Sequence, residues 1–321
     1  MPTVVVAYDE FNDTQVEEAV LKSIDARVIH SRNLNTPEAL EAAKQADALM
    51  VTIQQVTADV LATLEKCKII SRVGTGLDAI DIPAATQRGI WVTNVPDYSV
   101  DEVSTHAMAL LLAHARRIPD LVESTRRGSW DKMFVRPIQR LRGQTLGLLG
   151  FGRIGQAVAS KARGFGLEII VYDPYVDAQK LESMGVRPVD LDTLLRTSDY
   201  ISLHAPLTES NQHIINEGAL DKMKPTAFLI NTARGALIDE DALLKALRSK
   251  QIAGAALDVF AVEPPPPDHP LLHEPRAMIT PHIAWYSEAA NHDVRVRGAE
   301  EVVRVLRGEK PIYPANSINS L

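Results

Sequence analysis

The feature that most constrains this chain is an alternation, run through twice, of short unbroken apolar segments with helical patterns. Residues 4–8, 48–53, 68–73 and 90–95 are five or six residues long, rich in β-branched side chains and without polar alternation. Such runs read as strands buried on both faces. Between them, residues 37–46 and 58–65 have helical composition, with Thr or Pro at the start. Strand, helix and strand at this spacing make parallel βαβ units. A second series starts at Thr145 with TLGLLG, EIIVYD, YISLHAP, AFLINTA, AGAALDV and AMITPHI. Helical patterns such as 153–163 and 239–249 separate its members. The expected fold class is α/β, with two doubly wound parallel sheets.

Two long helical stretches, 99–117 and 287–307, lack a following strand of their own series. They are read as the segments that carry the chain out of the first domain and back. This makes the first domain discontinuous, residues 1–98 plus 289–321, with residues 99–288 inserted as the second. A length of 321 residues agrees with two domains. With 5% aromatic residues, the cores must be built from Leu, Val, Ile and Ala. A net charge of −7 argues against a nucleic-acid partner, which needs a basic face. The lone Cys67 excludes a disulfide framework and a Cys-rich zinc site, and fits a reducing cytosol. No metal is expected. The N-terminus lacks a basic n-region, and no apolar run approaches the roughly 20 residues that span a bilayer, so a cytoplasmic protein without a membrane partner is expected. The run 264–267 is four prolines and reads as a rigid loop.

The strand TLGLLG runs into Gly150-Phe151-Gly152-Arg153-Ile154-Gly155, and a helical pattern leaves it. In that context Gly150 allows a tight turn, Gly152 lets backbone approach a pyrophosphate, and Gly155 lets helix and strand pack closely. The helix N-terminus offers N–H groups to the phosphates. The next strand ends in Asp173, 18 residues after Gly155. A carboxylate there accepts from ribose hydroxyls and repels a 2′-phosphate, so NAD is favoured over NADP. The plainer reading is a βα turn followed by a surface Asp.

In doubly wound sheets the C-terminal strand ends line the ligand crevice. Arg234 follows AFLIN; Asp258 sits in GAALDV, with Glu263 beyond it; His282 follows AMIT; and His204 follows YISL. Singly, each has a bland reading: a satisfied or surface His, a solvated Arg, a loop Glu. Together, an Arg, a Glu and a His at three successive strand ends beside a nicotinamide site fit hydride transfer on a 2-oxo or 2-hydroxy acid. Arg binds a carboxylate through a bidentate fork and polarises the carbonyl. His exchanges the hydroxyl proton, and a neighbouring carboxylate favours its charged form and fixes its ring.

The segments GFGRIG, INTARG, AALDVF–x–x–EP and TPHIAW resemble, in order and spacing, the D-2-hydroxyacid dehydrogenase family, and the likeness runs from about Lys68 to Pro311. The resemblance implies a Rossmann cofactor domain inserted into a flavodoxin-like substrate domain, with the active site in the cleft between them. It implies Arg234 as substrate-binding residue, Glu263 as carboxylate partner and His282 as acid–base. It also implies Arg72, Val73 and Gly74 as a substrate loop with Val73 and Gly74 as backbone donors, and Thr75 near the nicotinamide. Arg153, Ile154, His204, Pro206, Thr232 and Asp258 would lie along the cofactor. The plainer reading of the 72–76 loop is a glycine turn after a strand.

Within the family, Glu263 speaks against formate dehydrogenase, where Gln is common at that position. The larger phosphoglycerate dehydrogenases carry a regulatory domain that would lie beyond residue 321, and none is expected here. PHIAWYSE, RVGTGLDAID and Arg116-Arg117 look like the branch of the C-terminal-binding-protein corepressors. Two placements are open to Trp285: lining the cofactor and substrate pocket, as in that branch, or packing at the domain hinge. The main reading is an NAD-dependent oxidoreductase acting on small 2-oxo and D-2-hydroxy acids; the alternative is an NAD-sensing, corepressor-like binding protein. A fingerprint near residue 150 excludes the L-lactate and malate dehydrogenase layout, which places it near 10–30. Arg126, Arg127, Arg136 and Arg140 read as solvated charges, as a dimer contact or as an attraction for an anionic substrate. The resemblance implies a homodimer built through 99–117.

Overall fold

The computed structural model describes residues 1–8, 11, 13–34 and 36–318. The chain divides into two compact units, Met1–Tyr98 with Ser287–Leu321, and Ser99–Tyr286.

The first unit opens with β1 (Thr3–Ala7), α1 (Gln15–Leu21), β2 (Arg27–Ser31), α2 (Pro37–Lys44) and β3 (Ala48–Val51). It continues through α3 (Ala58–Thr63), β4 (Ile69–Arg72), α4 (Ile82–Gln87) and β5 (Trp91–Thr93). Local chemistry sets the helix starts: the side chains of Thr36, Thr57 and Asp81 accept from Ala39 N, Val60 N and Ala84 N. Such caps each contribute about 1 kcal/mol. The five strands are parallel in the order β2-β1-β3-β4-β5, with Ala7 level with Val51 and Val51 level with Arg72. This is the flavodoxin-like order, whose switch point lies between β1 and β3. Edge strand β2 carries half-exposed and polar residues, RVIHS, so its sequence shows no buried run.

The second unit begins with α5 (Val100–Ala115) and α6 (Ile118–Arg126), parted by Arg117 at φ 53°. The turn at Arg117 ends the helical stretch expected over 99–117. There follow β6 (Thr145–Leu149), α7 (Arg153–Gly164), β7 (Glu168–Tyr172), α8 (Ala178–Ser183), β8 (Arg187–Pro188), α9 (Leu191–Thr197) and β9 (Tyr200–Leu203). The unit closes with α10 (Glu217–Leu220), β10 (Phe228–Asn231), α11 (Glu240–Arg248), β11 (Gly254–Leu257) and β12 (Ala277–Ile279). Its parallel sheet has the order β12-β11-β10-β9-β6-β7-β8. Counted from β6, the order is that of a dinucleotide-binding sheet with one further strand, and its switch point lies between β6 and β9. Strands β9, β10 and β11 are wholly buried, as their apolar runs require, with aliphatic cores on the sheet faces. The single cysteine, Cys67, is buried in the first unit's core, and burial pushes its thiol up to about 12.

Helix α12 (Glu288–Leu306) returns the chain to the first unit and is capped by Ser287. Arg295 of α12 makes a bidentate pair with Glu17 of α1, both distances 2.7 Å and both residues buried. Ser71 of β4 donates to the Gly298 carbonyl at 2.9 Å, and a Cβ on Gly298 would stand 3.0 Å from Val73. That close approach seats α12 on β4.

Candidate active site

In the second unit, the glycine-rich turn lies at the switch point. Gly150 has φ +92°, and a Cβ there would meet Ala205 N at 2.7 Å. Only glycine lets the turn after β6 pass beneath the segment after β9. A Cβ on Gly155 would meet the Gly150 carbonyl at 2.5 Å, so this glycine sets the close packing of α7 on the turn. Gly152 caps α7 without a side chain and has open space where its Cβ would stand, a cradle that any side chain would fill. Arg153 and Ile154 begin the helix.

Asp173 ends β7. Its carboxylate accepts from Phe151 N at 2.8 Å and from Tyr175 N at 2.9 Å, fastening it to the glycine-rich turn with lone pairs to spare. His204 follows β9; its Nε2 is 2.9 Å from Ser202 Oγ, and burial pulls the ring down to about 4, so it is neutral at pH 7. Pro206 is exposed two residues on. Thr232 follows β10, and its buried Oγ1 has no protein partner. The open glycine cradle, the anchored Asp173 and this orphaned hydroxyl, all at C-terminal strand ends, suit a bound dinucleotide.

The structure brings Arg234, Glu263 and His282 to the ends of three adjacent strands, β10, β11 and β12. Buried Asn231 shapes the first turn, donating to the Arg234 carbonyl at 2.8 Å and accepting from Ala233 N at 3.0 Å. Arg234 Nη1 donates to the Ala233 carbonyl at 2.7 Å. A Cβ on Gly235 would stand 1.9 Å from Phe260 C and 2.2 Å from Ala261 N. The Arg-Gly turn therefore packs directly on the backbone that leads to Glu263. Glu263 Oε1 accepts from Phe260 N at 2.9 Å, and its Oε2 lies 2.5 Å from His282 Nδ1. Burial pushes the Glu263 carboxyl up, but the hydrogen bond and charge of His282, the Phe260 N–H and the charge of Arg234 outweigh it and leave the group below its ordinary value. Glu263 is thus ionised at neutral pH and holds His282 through Nδ1, which leaves Nε2 as the nitrogen for proton transfer.

The resemblance implies a place along the cofactor for Asp258. The structure shows a buried carboxylate turned onto the loop that carries His282: it accepts from Thr280 Oγ1 at 2.5 Å, Ile283 N at 3.0 Å and Ala284 N at 2.9 Å. The Asp258 carbonyl accepts from His282 N at 2.8 Å. These bonds hold His282 at φ 51°, a left-handed conformation unusual for a side-chain-bearing residue. His106 of α5 completes the cluster, 3.1 Å from Thr280 Oγ1 and 3.7 Å from Asp258 Oδ1. Sequence reasoning passed over His106 and Thr280; a His within an apolar helix offers no local sign of a partner 174 residues away. Trp285 is half-buried and meets Tyr286 edge-on at 5.4 Å.

In the first unit, Arg72 closes β4 and curls over its own loop, Nη1 donating to the Val73 carbonyl at 2.5 Å. The N–H groups of Val73 and Gly74, the donors that the resemblance implies, are bonded within the chain. Val73 N–H continues the ladder to the Val51 carbonyl at 2.8 Å, and Gly74 N–H folds back on the Arg72 carbonyl at 2.9 Å. Among the described residues, the N–H groups of Thr75 and Gly76 have no such acceptor. Thr75 Oγ1 donates to the Val95 carbonyl at 3.2 Å, and Asn94 donates to the Thr75 carbonyl at 2.7 Å, tying the loop to the end of β5.

Residues 108–284 match the family described as D-isomer specific 2-hydroxyacid dehydrogenase, NAD binding domain. The chain is 46% identical to the D-3-phosphoglycerate dehydrogenase of Methanocaldococcus jannaschii over 86% of its length and 53% of that protein. It is 43% identical to the glyoxylate reductase of Korarchaeum cryptofilum over 87% of its length and 85% of that protein. The crystal structure of D-lactate dehydrogenase from Aquifex aeolicus complexed with NAD and lactic acid superposes with a TM-score of 0.87, at 28% identity and 96% coverage of each chain. The chain spans about half the length of the phosphoglycerate dehydrogenases it matches, at 53% and 52%. No helix among the described residues is long and apolar enough to cross a membrane. These matches carry dehydrogenase or reductase names, and the likeness to the corepressor branch rests on the quoted segments alone. The chain belongs to the D-isomer specific 2-hydroxyacid dehydrogenase family.

Proposed function

We propose that this chain is an NAD-dependent oxidoreductase that interconverts small 2-oxo acids and D-2-hydroxy acids. The observation that carries the reading is the 2.5 Å contact of His282 Nδ1 with an ionised Glu263, next to the Arg234 turn and on the same sheet edge as the dinucleotide cradle. The names of its relatives, glyoxylate reductase and D-3-phosphoglycerate dehydrogenase, agree with it.

NAD, when bound, supplies or accepts the hydride at C2. The remaining tasks belong to the chain. Arg234 binds the substrate carboxylate and draws electron density onto the carbonyl oxygen. His282 gives its Nε2 proton to that oxygen as C2 is reduced, and takes it back in the oxidative direction. Glu263 holds the ring through Nδ1 and so fixes where Nε2 points. Asp258, Thr280 and His106 fix the loop that presents it. In the first unit, the Thr75 and Gly76 N–H groups serve the carboxylate in place of Val73 and Gly74. Gly150, Gly152, Arg153, Ile154 and Gly155 receive the pyrophosphate, Asp173 the ribose, and His204, Pro206, Thr232 and Trp285 line the cofactor. The functional unit is a homodimer. Helix α5 spends its apolar face on α7 and β10, so the contact is assigned instead to the exposed apolar side chains of Ile118, Val122, Trp130 and Phe134.

The test is NADH oxidation with a panel of 2-oxo acids. His282→Ala is expected to lower kcat by roughly 10²–10⁴-fold while NADH binding persists. Full activity in that variant would overturn the mechanism.

A further inference from the structure

The first unit holds a second polar feature at its switch point, on the strand beside the loop assigned above to the carboxylate. β3 ends at Val51 and is followed by Thr52 and Gln54, 1% and 8% exposed. Gln54 Oε1 accepts from Thr52 N at 3.0 Å and from Thr52 Oγ1 at 3.2 Å. A backbone N–H can only donate, so the amide oxygen must face Thr52 and the amide cannot be turned over. That leaves Nε2 as a donor of fixed orientation, buried and without a protein partner. Buried donors are rarely left unpaired in a native fold, and an exception at a ligand crevice points to a partner supplied from outside the chain.

The register locates this donor. Ala7, Val51 and Arg72 are level across β1, β3 and β4, so Tyr8, Thr52 and Val73 form the next row. Gln54 and the Thr75–Gly76 turn thus leave adjacent strand ends, at the crevice of a flavodoxin-like sheet. A ligand whose carboxylate rests on Thr75 and Gly76 N–H extends its next carbons past one or other neighbouring strand end, and β3 offers a hydrogen-bond donor there. Ile53, between the two polar residues, is exposed and takes no part in the pair.

We propose that Gln54 is a specificity-determining residue, whose Nε2 donates to an oxygen on the substrate side chain and so selects 2-oxo acids that carry a hydroxyl at C3 over those with a bare alkyl group. Thr52 holds the amide in the donating orientation. This inference rests on the reading of the chain as a 2-oxo acid reductase.

The test uses two probes that differ by a single hydroxyl, hydroxypyruvate and pyruvate, with NADH. The wild-type protein is expected to favour hydroxypyruvate in kcat/KM by at least roughly tenfold. In Gln54→Met, which keeps length and burial but removes the donor, the ratio is expected to fall roughly tenfold, mainly through KM for hydroxypyruvate. In Thr52→Val, which removes the hydroxyl contact on the amide oxygen but keeps the backbone N–H, it is expected to fall by less. Because the quantity read is a ratio within one preparation, partial unfolding lowers both activities and leaves it unmoved. An unchanged ratio in Gln54→Met, with both acids reduced, overturns the role of Gln54 and leaves the reductase reading intact. Wild-type protein that binds NADH and reduces neither acid overturns both.

Discussion

At the residue scale, the proposed chemistry turns on one contact, Glu263 with His282. The carboxyl lies below its ordinary value although burial pushes it up, because the histidine, the Phe260 N–H and Arg234 all favour its charge. A carboxylate with a lowered folded value contributes stability above its unfolded pKa, near 4.3, and that contribution is lost as pH falls through the folded value. At neutral pH the pair is therefore intact. Glu263→Gln removes the ionised partner of His282 Nδ1, and with it the contact that orients Nε2 for proton transfer. The kcat for 2-oxo acid reduction is expected to fall roughly tenfold or more while NADH binding persists. Steady-state rates and NADH titration check this, and a wild-type kcat would deny Glu263 its role. The residue types of this pair were legible from their spacing after successive strands. Asp258 shows the limit of that reading, because its partners Thr280, Ile283 and Ala284 lie more than 20 positions on and only the sheet brings them together.

At the scale of elements, buried strands and capped helices were legible because their causes are local: apolar runs, and Thr, Asp or Ser at helix starts. Edge strands β2 and β8 were not, since an edge need not be apolar and β8 has two residues. The bonding of the Val73 and Gly74 N–H groups is hidden from sequence for a related reason. Which N–H groups a loop offers depends on where the ladder stops, and the β3–β4 ladder runs one residue further than the strand ends suggest. Gly235 belongs at this scale. It was read as part of INTARG, but its necessity comes from the Phe260–Ala261 backbone, 25 positions away. Gly235→Ala would put a methyl group within 1.9–2.3 Å of that backbone, which cannot yield as a side-chain tip could. Loss of about 1–3 kcal/mol of stability is expected, together with a fall in kcat as Arg234 and Glu263 shift. Thermal denaturation and single-turnover rates measure the two effects, and wild-type values in both would show that the packing is not critical.

At the scale of the whole molecule, the homodimer proposal rests on apolar surface that no isolated chain needs. Trp130 is 89% exposed, with Met133, Phe134, Ile118 and Val122 nearby in sequence and also exposed. Light scattering is expected to give twice the chain mass, and a Trp130→Glu, Phe134→Glu double variant half of that; a monomeric wild type would refute the assignment. Sequence alone determined the α/β class, the two sheets, the cofactor and the three candidate catalytic side chains. The first three are written in local periodicity or in a glycine and acid spacing whose function requires contiguity, and the side chains in their place after successive strands. Tertiary structure decided what those side chains are bonded to: which N–H groups remain free at the 72–76 loop, that Asp258 and His106 support the His282 turn, and that Gln54 keeps an unspent donor. Hydrogen-bond satisfaction is a property of three-dimensional neighbours, and strand order across a parallel sheet sets those neighbours without leaving a mark on adjacent residues.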